Sequence, residues 1–142
     1  IPTIFDYEGE SGFRIRETQV IKELTGLPDI VLATGGGAIL RDENRDYLAS
    51  RGFVVYLKVS VRQQLLRTAR DQSRPLLQTE NPKQKLKELA RQRNPLYASV
   101  ADYTIDTDRH HMYALKKRII KAYKAALKSS EKTRKPVNVN KE

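Results

Sequence analysis

Ile30-Val31-Leu32-Ala33-Thr34-Gly35-Gly36-Gly37 joins a short unbroken apolar run to three consecutive glycines. An apolar run without alternation predicts a strand covered on both faces, as in a parallel sheet. Ligands of open α/β sheets sit beyond the carboxyl ends of such strands. Glycines placed there let the backbone come close to a ligand and offer it N–H groups. The stretch alone leaves a ligand-facing turn and a purely structural tight turn both open. It is not a Walker A loop, because no lysine follows at the required spacing. Nor is it a dinucleotide fingerprint, because Leu40 stands where the third glycine belongs.

Outward from this stretch, the pattern alternates. On the amino side, Asp6 to Gly12 reads as a polar, glycine-punctuated turn region, and Gly12 to Leu24 as a helix with Phe13, Val20, Ile21 and Leu24 on one face. Thr25-Gly26-Leu27-Pro28 stops it, with Gly26 at C′. On the carboxyl side, Arg41 to Gly52 is a polar helical segment and Phe53 to Val59 a second strand. Ser60 caps a helix running to about Ala69, and Asp71 to Pro82 is a loop. Lys83 to Arg93 is a helix that Asn94-Pro95 breaks, with Tyr97 to Ala101 as a short continuation. Tyr103 to Asp106 is a third strand. Leu115 to Lys128 is an amphipathic helix with Leu115, Ile119, Ala122, Tyr123, Ala126 and Leu127 inward, and Ser129 to Glu142 a disordered tail. This alternation predicts an α/β fold with a parallel sheet.

Composition removes several function classes. The 142 residues suit one domain. With no cysteine there is no disulfide, thiolate metal site or catalytic thiol, which suits a reducing cytoplasm. His110 and His111 are the only histidines, which argues against a histidine-built zinc site. No apolar run is long enough for a membrane helix. The net charge of +10 suggests nucleic acid, but residues 115–142 hold 10 Lys and Arg against 2 Asp and Glu, so the excess reads as a solvated helix and tail. The chain begins at Ile1 and its only methionine is Met112; no initiator or signal peptide is readable, so the start is either processed or missing.

The candidate chemistry rests on arginine. Arg14, Arg67, Arg70, Arg74 and Arg93 fall in loops or near helix ends. Arginine suits planar bidentate contact with carboxylate or phosphate. Arg74-Pro75-Leu76-Leu77 lies in the longest loop, where a lid arginine could neutralise charge on a transferring phosphoryl group. A surface salt bridge is the alternative for any one of them. Of the carboxylates Glu8, Glu10 and Glu17, Glu17 lies three residues after Arg14 and is read as its positioner. Asp106-Thr107-Asp108 reads as turn chemistry and His110-His111 as a surface pair at a helix entry. The tyrosines are scattered and form no stacking platform for a single strand.

Phe5, Gly9-Glu10, Gly12-Phe13-Arg14-Ile15-Arg16-Glu17, Ala33-Thr34-Gly35-Gly36-Gly37-Ala38, Val54-Val55-Tyr56-Leu57, Arg74-Pro75-Leu76-Leu77, Arg93-Asn94-Pro95-Leu96-Tyr97 and Ala101-Asp102 together resemble shikimate kinase, of the nucleoside-monophosphate-kinase-like branch of P-loop folds. Each piece is weak; their order and spacing, held from residue 1 to about 128, are specific. The resemblance implies a three-layer α/β P-loop kinase-like domain over 1–128, with 129–142 as a basic tail. It implies ATP-dependent phosphorylation of the 3-hydroxyl of shikimate, in aromatic amino-acid synthesis. Arg14 and Arg93 match the pair that grips the shikimate carboxylate. Gly36, flanked by Gly35 and Gly37, matches the turn whose backbone contacts the substrate hydroxyls. Phe5, Phe13 and Leu76 match apolar contacts around the ring. Arg74 matches the lid arginine that reaches the ATP phosphates, Arg67 an arginine near the adenine, and His110 a nucleotide-side position. ATP is then the co-substrate and Mg²⁺ the cofactor. A cytoplasmic monomer is expected when full length, with no membrane or nucleic-acid partner.

The departure from the family is equally specific. The family's N-terminal segment, with the P-loop lysine, the Mg²⁺-binding Ser/Thr and a strand ending in a substrate-binding Asp, has no counterpart here. The expectation is a part of a longer kinase, with no appreciable activity alone and no metal ligand of its own. In the family's sheet the P-loop strand lies between the strands matching Ile30–Thr34 and Phe53–Val59, so both should present open edges. Two further readings stay open: a related small-molecule kinase such as a gluconate kinase, and a basic module that binds nucleic acid through residues 115–142. A truncated kinase domain kept for interaction is a third.

Overall fold

The computed structural model describes residues 2–69, 79, 81–109 and 111–133. It falls into two units, Ile1–Asp108 and Arg109–Glu142.

In the first unit, helix α1 spans Pro2–Leu24, well beyond the predicted start at Gly12. The stretch read as a turn is helical except at Gly9, whose φ of 68° and ψ of −178° put a kink there. That backbone region belongs essentially to glycine. Across the kink, Arg16 Nη2 donates to Glu8 Oε1 at 2.6 Å. The ion pair holds the Glu8 carboxyl below its usual pKa, chiefly through the hydrogen bond from Arg16. Space around Gly9 is open, with nothing within 4 Å of an added Cβ, so only the backbone resists substitution. Gly9→Ala is expected to destabilise the helix entry by about 1–3 kcal/mol, read as a lower Tm. An unchanged Tm would mean that the kink relaxes without cost.

At its far end α1 stops where the sequence indicates, by another device. Gly26 has no positive φ; Gly9 is the only such glycine among the described residues. The last turn tightens instead, Gly26 N donating to Glu23 O at 3.1 Å and Leu27 N to Leu24 O at 3.0 Å. These shorter-range bonds satisfy the terminal carbonyls in place of a left-handed cap.

The predicted strand Ile30–Thr34 does not form. Residues 30–35 carry no ladder, and Val31 is 100% exposed. A strand exists only through a neighbour's hydrogen bonds. Among the described residues none lies beside this run, so its strand-like composition has nothing to pair with. The strand that does form at the second predicted site is shorter than read: β1 is Val55–Lys58. It pairs in parallel with β2, Tyr103–Asp106, in the register Val55↔Tyr103 to Lys58↔Asp106. That two-stranded parallel sheet is the sheet of the predicted α/β fold. Val54 N donates to Asp102 Oδ2 at 2.7 Å and Thr107 N to Lys58 O at 2.9 Å, closing the sheet at both ends.

Between the triglycine and β1 come a 3₁₀ turn, Ala38–Leu40, and helix α2, Asp42–Arg51. Asn44, fully buried, donates from Nδ2 to Ala38 O at 2.9 Å, and Arg45 Nη1 donates to Ile39 O at 2.8 Å. Two side chains of α2 thus hold the carbonyls of the turn that follows the glycines. Helix α3, Val61–Thr68, starts at the predicted cap, Gln63 N donating to Ser60 Oγ at 3.2 Å.

Helix α4 runs unbroken over Pro82–Val100, where the sequence suggests a break at Asn94-Pro95. A proline within a helix removes one backbone bond and crowds one carbonyl. Pro95 is exposed, so water can serve the carbonyl it leaves free. Asn81 caps the start, accepting from Gln84 N at 3.0 Å. The core is small: Ile21, Ala38, Ile39, Leu86 and Ile105, at most 5% exposed, drawn from α1, the 3₁₀ turn, α4 and β2.

In the second unit, helix α5 spans Met112–Thr133, so it enters the stretch read as tail; residues 134–142 lie outside the described set. Leu115, Ile119, Ala122 and Ala126 are half-buried as predicted, but Tyr123 and Leu127, read as inward, are 46% and 44% exposed.

Candidate active site

The triglycine turn is where the first unit gathers its charged groups. From α1, the Arg14 guanidinium lies directly against Gly37: a Cβ added there would overlap its terminal atoms. From α4, Arg93 Nη1 lies 3.6 Å and Tyr97 Oη 2.9 Å from the place a Cβ of Gly36 would take. Glu17 Oε1 lies 3.8 Å from the corresponding place at Gly35. Three adjacent glycines therefore each admit a different side chain, and larger residues at Gly36 and Gly37 would expel two of them.

Arg14 is held from both sides. Its Nη1 donates to Glu17 Oε2 at 2.7 Å and its Nη2 to Glu10 Oε1 at 3.0 Å. The Arg14 and Glu17 side chains are only 13% and 11% exposed, so this pair is not a solvated surface salt bridge. Burial alone would lower the Arg14 pKa; its hydrogen bonds to Glu17 and Glu10, with their charges, outweigh it and leave it raised. Phe13 stacks beneath the guanidinium at 5.2 Å and meets Phe5 at 5.1 Å between ring centroids. Arg41 braces the same turn of helix, its Nη1 donating to Thr18 Oγ1 at 3.2 Å.

Arg93 has the opposite surroundings. Among the described residues it has no ion-pair partner, and its Nε is buried without a hydrogen bond. A buried donor on a cation left without an acceptor is costly, so such a group fits an anion that comes from outside the chain. Beside it, burial pushes the Tyr97 hydroxyl up in pKa, against the pull of the Arg93 charge and hydrogen bond. The phenol therefore stays a donor through the physiological range, and it donates to Gly36 O at 2.6 Å.

Of the residues expected in the site, Arg14, Gly35, Gly36, Gly37 and Arg93 come together, with Phe5 and Phe13 along α1 beside Arg14. Arg67 is exposed in the last turn of α3 and takes no part in the hydrogen bonds of the cluster. Arg74, Leu76 and His110 lie outside the described residues. Sequence reasoning gave Tyr97 no role in the site, and it named Glu10 as a candidate carboxylate without pairing it with Arg14. Tyr97 stands four residues after Arg93, on the same face of α4, a spacing that could have flagged it. Glu10 stands four residues before Arg14 and closes the pair of carboxylates. Among the described residues no three His, Cys, Asp or Glu side chains gather where they could hold a metal ion.

A family model described as shikimate kinase matches residues 1–124. A shikimate kinase of Methylococcus capsulatus is 58% identical over 123 residues, covering 87% of this chain and 69% of the relative. One of Thioalkalivibrio sulfidiphilus is 54% identical over 130 residues, covering 92% and 68%. Among solved structures, shikimate kinase from Acinetobacter baumannii in complex with shikimate has a TM-score of 0.85 at 52% identity, covering 89% of this chain and 70% of that one. The Aquifex aeolicus enzyme has a TM-score of 0.73 at 28% identity. The fold is that of an α/β phosphotransferase of the P-loop kinase class. Within that class, the chain belongs to the shikimate kinase family.

Proposed function

We propose that the triglycine turn, Arg14 and Arg93 form the shikimate-binding site of this kinase, with ATP donating a phosphoryl group to the 3-hydroxyl in the cytoplasm. The observation that carries this reading is the buried, unpartnered Nε of Arg93 on the turn that also bears the Arg14 guanidinium. Two planar cations on neighbouring glycines suit one carboxylate, which each can meet with parallel N–H donors. Arg14 is already ion-paired with Glu10 and Glu17, so it orients the carboxylate while Arg93 offers the cation that has no acidic partner among the described residues. The backbone N–H groups of the turn face the ring hydroxyls, and Phe5 and Phe13 cover an apolar edge. Phosphoryl transfer depends on positioning the acceptor and neutralising charge. This site does the first. Arg74 is proposed for the second, with Arg67 and His110 on the nucleotide side and Leu76 against the ring.

The test is calorimetric titration of the purified protein with shikimate and with its methyl ester, beside a coupled ADP-release assay offering shikimate or gluconate. Binding of the acid and not the ester, with turnover restricted to shikimate wherever turnover occurs, is the expected result. Equal affinity for acid and ester would overturn the two-arginine carboxylate site.

A further inference from the structure

Tyr97 carries no part of the reading above, yet a ring contact and a hydrogen bond fix it at the turn. Its ring lies 4.9 Å from that of Tyr56, at 33° between planes, and the Tyr56 hydroxyl donates to Asn94 Oδ1 at 3.1 Å. Tyr56 belongs to β1, while Asn94 and Tyr97 belong to α4. Sheet and helix thus clamp the phenol between them. Its hydroxyl reaches 61 residues back along the chain to the Gly36 carbonyl at 2.6 Å.

The consequence follows from peptide geometry. In a trans peptide the carbonyl and the next N–H point in opposite directions. Holding Gly36 O towards Tyr97 therefore turns the Gly37 N–H to the other side. Among the described residues, neither the Gly36 nor the Gly37 N–H has a protein acceptor. Ala38 N, in contrast, is used within the turn, donating to Gly35 O at 3.1 Å. Two consecutive glycines have no side chain to hold their peptide plane, which can rotate at little steric cost. The restraint must come from outside the turn, and Tyr97 is placed to supply it.

We propose that Tyr97 is a positioning residue for shikimate, its hydroxyl fixing the Gly36–Gly37 peptide plane and so aiming the backbone donors of the turn at a ring hydroxyl of the substrate. The inference rests on the reading of this turn as the shikimate site. Because Tyr97 also touches Arg93, it sets the hydroxyl donors and the carboxylate clamp in one mutual geometry. Its chemistry is entirely that of a neutral donor; no proton moves.

Tyr97→Phe keeps the ring on Tyr56 and deletes only the hydroxyl. In a coupled ADP-release assay it is expected to raise the KM for shikimate about five- to tenfold, while the KM for ATP changes by less than about twofold. The decisive readout is a pair of shikimate analogues, each lacking one of the two ring hydroxyls that do not accept phosphate. If Tyr97 acts through the turn, the Tyr97→Phe penalty shrinks to less than about twofold for one analogue, because the donor it aims has lost its acceptor. An equal penalty for both analogues and for shikimate overturns the inference, as does a lower Tm with an unchanged KM for shikimate. Tyr56→Phe, which releases the ring's support on Asn94, is the second variant. It is expected to act in the same direction with a smaller effect, and it decides the matter should Tyr97→Phe not fold. A wild-type enzyme that does not saturate with shikimate would overturn the underlying reading instead, a result distinct from any of these.

Discussion

Arg93→Ala is expected to weaken shikimate binding by about 100- to 1,000-fold while leaving ATP affinity within about threefold. A charge-assisted hydrogen bond contributes about 1.5–3 kcal/mol, and a guanidinium can give a carboxylate two in parallel. Each factor of ten in affinity corresponds to about 1.4 kcal/mol, so the lower part of the two-bond sum, about 3–4 kcal/mol, gives that range. Arg93 carries the larger share because no acidic partner among the described residues competes for it and its Nε is buried without an acceptor. Arg93→Lys is expected to restore little, since an ammonium group has no planar fork. Arg14→Ala should likewise raise the KM for shikimate far more than that for ATP, because it bares Glu10 and Glu17 towards the carboxylate. Parallel KM curves for the two substrates, measured by varying each at saturation of the other, would remove both arginines from the substrate site.

Gly37→Ala is the second large effect, expected to lower shikimate affinity by about 30- to 100-fold, against less than about threefold for Gly35→Ala. The two sites differ in what a methyl group meets. At Gly35 it would lie 3.8 Å from Glu17 Oε1, an ordinary contact. At Gly37 it would overlap the Arg14 guanidinium. That side chain cannot simply swing aside, because Glu10 and Glu17 hold it in two ion pairs. Neither glycine has a positive φ, so backbone strain does not separate the two substitutions. In an Arg14→Ala background the Gly37→Ala penalty should largely vanish, since the group it strikes is gone. A full penalty in that background would show that Gly37 acts through the backbone alone.

The parts of this site that lie close in sequence were legible before the structure. Arg14 and Glu17 follow from a spacing of three on a helix, and their side chains do meet, at 2.7 Å. Tyr103–Asp106 and the Ser60 cap also stand where the pattern puts them. Contacts across long separations were not legible in this way. No periodicity links Tyr97 to Gly36, or Arg14 to Gly37; only family resemblance joined Arg14 and Arg93 beforehand. Two local readings failed because a neighbour decided them. Pro95 looks like a breaker, but a single missing N–H on an exposed face does not end a helix whose other side is packed. Ile30–Thr34 has strand composition, but a strand is a property of pairs, and its partner is not among the described residues.

That unpaired run has a consequence for how the protein behaves in bulk. Ile30 and Val31 present apolar side chains to water, Val31 completely, beside backbone groups with no ladder. Two such segments meeting edge to edge would satisfy each other, which is the first step of aggregation. What opposes the meeting is mutual repulsion between copies that each carry a net charge of +10. Colloidal stability is therefore bound to ionic strength. In dilute buffer the charge keeps molecules apart, and added salt shortens its reach to about 10 Å at 0.1 M, close enough for bare edges to find one another.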